Sequence, residues 1–198
     1  MSPHTVAAAF RQGSASLRRF ARFVGAFTTA VAAMALLGWA LDIGFLKSVI
    51  PGHAAMKANT AVGLSLAGLA LLTANNPARW AHEASAAMSV VVLLLGAVTL
   101  LEYTSGIDTG LDTLLFEDPE AIAAGRAPGR MSQISAVSFL LLGINGIEAR
   151  ARGRIWLGQA LALAVLVIAL FALSAYGYAM GMGTREAPFN PISLHTAI

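Results

Sequence analysis

The feature that most constrains this chain is the recurrence of apolar stretches long enough to cross a lipid bilayer. A membrane-crossing helix needs about 20 apolar residues for roughly 30 Å of hydrocarbon. Five stretches approach or reach that length, at about 23–46, 56–75, 84–104, 131–148 and 155–180. The second and fourth reach it only with their flanks from Met56 and Met131. The third contains VVVLLLGAVTLL from Val90. Lipid offers the backbone no hydrogen-bond partner, so such segments must be helices or a closed barrel, and strand patterns are too few for a barrel. Only 12% of the residues are charged, against about 25% in soluble domains. A chain so poor in charge cannot coat a water-facing surface. The fold class expected is therefore all-α: a polytopic membrane helix bundle with five transmembrane helices and the start of a sixth at 193–198.

Orientation follows from lysine and arginine placement. Alternating spans put Arg11, Arg18, Arg19, Arg22, Arg79, Arg150, Arg152 and Arg154 on one side. Lys47, Lys57, Arg126, Arg130 and Arg185 fall on the other. The richer side is expected to be cytoplasmic, with the N-terminus there. Most acids, from Asp42 to Glu186, fall at or beyond the outer boundary. Residues 1–22 form a basic cytoplasmic or interfacial segment, and 23–198 the transmembrane domain. Phe10, Leu17, Phe20 and Val24 recur at helical spacing, as in an interfacial amphipathic helix, but the positive-inside rule alone accounts for the arginines. The long apolar run after them marks a retained first helix, not a cleaved signal. Topology also accounts for the basic residues without nucleic acid, and the partner expected is the lipid bilayer.

The sequence repeats itself. MKANTAVGLSLAG from Met56 matches MSQISAVSFLLLG from Met131: Met56, Ala61, Val62, Leu66 and Gly68 recur as Met131, Ala136, Val137, Leu141 and Gly143. Thr60 becomes Ser135. A third copy, ISLHTAI, opens at Ile192 with Thr196 and Ala197 in register. Each copy follows a turn signal: Pro51-Gly52, Pro128-Gly129 and Asn190-Pro191. Before each lies a long apolar helix ending in an aromatic residue: Trp39, Tyr103 and Tyr176. The unit is a helix out, a loop, and a helix back. Three units make six helices, so the rest of the third return helix is expected beyond Ile198.

LLGWALDIG, PG…MKANTAVGL, LLEYTSGIDTGLDTLLF, PGRMSQISAVSFLLLG and ISLHTA together resemble a membrane-embedded sensory region at the N-terminus of bacterial signalling proteins, including sensor histidine kinases and diguanylate cyclases. The likeness spans about Leu36 to Ala197. It implies a bacterial inner-membrane location and a following PAS, kinase or cyclase module, of which this sequence contains none. It names no ligand.

Several residues are candidates for chemistry. Glu102 lies in an apolar helix one turn from its outer end, beside Tyr103. Ionisable groups in a span are costly and often functional, although snorkelling or pairing with Lys57, Arg126 or Arg130 also explains one. The loop 105–130 holds Asp108, Asp112, Glu117, Asp118, Glu120, Arg126 and Arg130. Oxygen-rich clusters can hold hard cations, but the spacing is not that of an EF-hand, and the charges read as a solvated surface. His53 and His195 fall on the outer side, where they would complete an outer-face ligand or coupling site with Glu102 and Tyr103. Two histidines alone make neither a metal site nor a buried haem site, and no helical His pair is present. Asn145, within the fourth span, reads as an interhelical polar contact. Gly63/Ala67 and Ser85/Ser89 are small-residue steps that let helices approach. The chain lacks cysteine, a P-loop, a nucleophile elbow and paired catalytic carboxylates. No cofactor and no catalytic residues are expected. The functional expectation is a non-enzymatic membrane sensory or signal-relay domain, acting as a homodimer or in a larger complex. The alternative is a non-catalytic accessory subunit.

Overall fold

In a computed structural model the described residues are 3–48, 55–123, 125–151 and 155–181. They form helices and connecting segments, with no strand among them. In chain order the helices are α1 (Pro3–Ala40), α2 (Gly44–Lys47), α3 (Ala58–Ala74), α4 (Arg79–Ser105), α5 (Pro119–Ala123), α6 (Gln133–Ala151) and α7 (Ile155–Gly181). The all-α expectation holds. Three segments are long and apolar enough to cross a membrane: Ala15–Ala40, Arg79–Ser105 and Ile155–Ala175. The apolar runs Ala58–Ala74 and Gln133–Ala149 are shorter. At 1.5 Å per residue each is roughly 25 Å long.

The first helix departs from the sequence reading at both ends. From Pro3 onward the basic segment and the apolar run that follows are one continuous helix, since no proline interrupts residues 4–40. The expected span to residue 46 stops at Ala40 instead. Asp42 takes a left-handed φ of 54°. The Ile43 N–H then bonds the Gly38 carbonyl at 2.8 Å and the Asp42 N–H reaches that of Trp39 at 3.4 Å. This is a Schellman cap, with aspartate where glycine is usual. Hydropathy cannot register it, because Leu41, Ile43, Phe45 and Leu46 keep the sequence apolar.

The helices pack as two antiparallel hairpins, α1 with α3 and α4 with α6. These join through α3 and α4, and α7 packs on α6. One core cluster holds Val92, Met131, Ala136 and Phe139, and another holds Ala35, Met56 and Ala61. Small residues set the helix spacing. Gly63 sits against the Phe139 ring. Gly96 faces the α6 backbone at Ala136 and Leu140, and Gly143 faces the α4 backbone at Leu93. Ser85 donates to the Ala70 carbonyl at 2.8 Å, tying α4 to α3. The outward faces stay apolar: Phe23, Leu94, Leu101, Leu163, Leu166 and Phe171 are exposed.

A Cβ on Gly143 would lie 2.6 Å from the Leu93 nitrogen and 2.7 Å from its Cα. Both are backbone atoms and cannot swing aside. Gly143→Ala is expected to cost roughly 1–3 kcal/mol, read by reversible unfolding in mixed detergent micelles. Gly44, with no atom within 4 Å of such a Cβ, is the control, and Gly44→Ala should change stability by no more than about 0.5 kcal/mol.

Candidate functional site

Polar side chains gather where α1 and α4 end and α3 and α6 begin, and the segment 106–132 folds over them. Two aromatic residues anchor this end. The Trp39 Nε1 donates to the Met56 carbonyl at 2.7 Å. The Tyr103 hydroxyl donates to the Met131 carbonyl at 3.0 Å. Each ring thus fastens the last turn of a long helix to the residue that opens the returning one. Met56 and Met131 are themselves fully buried. A cation covers each ring, with the Lys47 Nζ 4.6 Å from the Trp39 centroid and the Arg130 guanidinium 5.6 Å from that of Tyr103.

Glu102 is the centre of the cluster and only 1% exposed. Its Oε1 accepts the Thr109 backbone N–H at 3.1 Å and the Thr109 hydroxyl. Its Oε2 has no hydrogen-bond donor but lies 3.5 Å from the Arg130 Nε. That nitrogen donates instead to the Asp112 Oδ2 at 2.7 Å. The other Asp112 oxygen accepts from the Asn59 amide at 2.7 Å. Asp108, largely exposed, lies 3.9 Å from the Arg130 Nη2. One guanidinium therefore serves two buried carboxylates, from α4 and from the loop, and Asn59 ties both to α3. Burial pushes the Asp112 carboxyl up to about 6. Arg130 opposes that rise, while the nearby Glu102 carboxylate reinforces it. The carboxylates hold the Arg130 guanidinium above its ordinary value, Asp112 foremost.

A second tie lies beside the first. Asp118 pairs with Lys57 at the start of α3. Its Oδ1 accepts the Ala121 N–H at 3.1 Å, capping α5, and its Oδ2 accepts the Gly129 N–H at 3.1 Å. Burial works to raise this carboxyl, but Lys57 and the two N–H groups outweigh it and hold it below its ordinary value. Gly129 has a φ of 66°, and its Cα faces the Asp112 backbone so closely that a Cβ would overlap it. Ser132 caps α6, accepting the Ser135 N–H at 3.2 Å.

The structure thus sorts the candidate residues. Glu102 and Tyr103 meet at one cluster, joined by Arg130. His53 and His195 lie outside the described residues. Asn145 is in the α6–α7 interface, its Oδ1 3.1 Å from the position of a Cβ on Gly158. Of the loop charges, Asp108, Glu117 and Arg126 are exposed as expected, whereas the solvated reading is corrected for Asp112 and Asp118, which are buried and partnered. The signal was present in Asp118-Pro119, a cap followed by proline at the first helical position, and in the scarcity of charge elsewhere. Among the described residues no group of three His, Asp or Glu side chains is arranged to hold a metal ion. Comparison with protein-family models, with curated proteins and with solved structures gave no match.

Two expected outcomes follow from the opposite shifts. Asp112 binds protons more tightly in the fold than its ordinary value of 3.8, so the folded state takes up more protons between about pH 4 and 6. Stability attributable to Asp112 therefore falls as pH rises through that window. Asp112→Asn should flatten this part of the unfolding-midpoint profile. Asp118 has the reverse sign: its stabilisation is present above its ordinary value of 3.8 and is lost as pH falls through its lower folded value. Asp118→Ala strands the Lys57 ammonium and two N–H groups. It should cost roughly 2–3 kcal/mol at pH 7, measured by the same unfolding assay.

Proposed function

We propose that this chain is a non-catalytic membrane sensory or signal-relay region, in which the state of the 106–132 loop is passed through helix packing to the opposite end of the bundle. The observation that carries this reading is the Glu102–Arg130–Asp112 cluster. It couples the loop directly to α4 and, through Asn59, to α3. Such a group is poised rather than inert. One carboxylate oxygen lacks a donor, and the partner carboxyl changes charge near pH 6. A proton, a cation or a ligand that shifts the Arg130 contacts biases how the two hairpins meet. Relay of this kind needs only two packings close in free energy.

The membrane setting belongs to the same proposal. All five longer helices cross the bilayer, α3 and α6 by pairing along α1 and α4. Support comes from the aromatic residues at both ends. Within α4, Trp80 and Tyr103 are roughly 35 Å apart at 1.5 Å per residue, close to the hydrocarbon thickness. Trp156 is exposed near the start of α7. The arginine-rich end, with Arg22 and Arg79, faces the cytoplasm of a bacterial cell, and the loop end faces outward.

The test uses the cysteine-free chain in nanodiscs, with spin labels at His82→Cys and Trp156→Cys on the end away from the loop. Arg130→Gln should shift the interlabel distance distribution by several ångströms, and so should a step from pH 7.5 to pH 5 in the otherwise unaltered protein. Identical distributions in all three samples would contradict a relay.

A further inference from the structure

An apolar groove runs along the bundle between α1 and α7, with a volume of about 420 Å³. Phe27 and Val31 stand on one wall and Ile168 and Ala169 on the other, above a floor from α3 and α6. Toward the loop end α7 closes onto α6, where Ala172 is buried against Ile134. We propose that this groove holds one acyl chain of an anionic phospholipid, with the Asn145 amide donating to an ester carbonyl and Arg22 facing the phosphate.

Asn145 supplies the first observation. Ser85, Ser89 and Ser138 also line the groove, and each donates to a backbone carbonyl. The Asn145 amide lines it with no hydrogen-bond partner among the described residues. An amide held in hydrocarbon without a partner is costly, so an apolar occupant must bring an acceptor to that point. An ester carbonyl is such an acceptor, and the chain attached to it suits the rest of the lining. The length agrees as well. Ile134 and Asn145, both in the lining, are roughly 16 Å apart along α6 at 1.5 Å per residue. That is about half of the ~30 Å of hydrocarbon in a bilayer, the depth that an acyl chain of one leaflet reaches.

Charge and depth select the headgroup. Arg22 is exposed, and its Nη2 donates to the Asn75 carbonyl at 3.4 Å, next to Ala74 of the groove lining. A guanidinium carries further N–H groups, and these suit phosphate oxygens. Trp39 and Met131 mark the loop end of the bundle. Measured from there at 1.5 Å per residue, Arg22 lies roughly 25 Å along α1 and Asn145 roughly 21 Å along α6. The amide is therefore a few ångströms deeper in the bilayer than the guanidinium, as a phospholipid's ester carbonyls are deeper than its phosphate. At this end the described side chains Arg18, Arg19, Arg22 and Arg79 outnumber Glu83 and Glu148 four to two. The excess is positive, which favours an anionic headgroup.

The inference rests on the membrane-bundle reading above, and the test separates the two. The full chain is purified in detergent, stripped of lipid and titrated with dioleoyl phosphatidylglycerol under native mass spectrometry. One lipid per chain should bind about tenfold more tightly than phosphatidylcholine with the same acyl chains. Arg22→Gln, at an exposed residue, should remove that preference without disturbing the packing. Asn145→Leu should weaken both lipids alike, since both carry the ester carbonyl. Ala169→Phe fills the groove and should abolish the tight site, whereas Leu170→Phe on the exposed face of α7 should leave it intact. Phosphatidylglycerol bound without preference, and indifferent to Arg22→Gln and Ala169→Phe, is ordinary lipid contact and overturns the proposal. Oleate bound as tightly as phosphatidylglycerol makes the occupant a free acid and overturns it too. A chain that stays monodisperse without detergent contradicts the membrane reading underneath; one that needs detergent yet shows no groove-dependent site contradicts the lipid proposal alone.

Discussion

The arrangement depends on one constraint: a polypeptide in hydrocarbon must satisfy its backbone hydrogen bonds within its own segments. Long helices are the answer this sequence gives. If α1, α4 and α7 lie in a bilayer, as proposed, lipid tails are as favourable to their leucines as another helix is. Burial of apolar surface then no longer holds the bundle together. Close packing must do so, and the small residues mark where it happens. Gly96 and Gly143 bring α4 and α6 to van der Waals contact at the backbone, Gly63 makes room for the Phe139 ring, and Ser85 adds a hydrogen bond between α4 and α3.

The same constraint explains where the charges lie. Glu102, Asp112, Asp118, Lys57 and Arg130 are confined to one end, where the loop covers them. Burying a lone charge there is costly, and each is matched: Asp118 by Lys57 and two N–H groups, Asp112 by Arg130 and Asn59. Glu102 is the least satisfied, with one oxygen held only at ion-pair distance. A network that is complete except at one atom responds to a small change in charge. A wholly satisfied one is rigid.

How far the sequence speaks for itself varies by feature. The long helices were legible because hydropathy over some 20 residues is a strong signal. The end of α1 was not, since its Schellman cap sits inside an apolar run and turns on Asp42 alone. Glu102 stood out as a carboxylate within a span. Its partners were harder to foresee, because Asp112 meets Asn59 across 53 residues and Asp118 meets Lys57 across 61. No local pattern encodes such distant pairings, so the loop acids read as solvated. The matching aromatic anchors, Trp39 on Met56 and Tyr103 on Met131, follow the register of the repeated sequence, but periodicity gives the positions and not the hydrogen bonds.

The claim beneath all of this is that the outward faces of α1, α4 and α7 touch lipid. Collision measurements on spin labels read it directly, with labels at the exposed Met34, Leu94 and Leu166 in liposomes and a loop label at Leu114 for comparison. The account predicts that the three helix labels relax with dissolved oxygen and are shielded from a water-soluble nickel chelate, while Leu114 shows the reverse. Nickel accessibility at Leu94 and Leu166 equal to that at Leu114 would mean these faces meet water, and a membrane bundle could not be sustained.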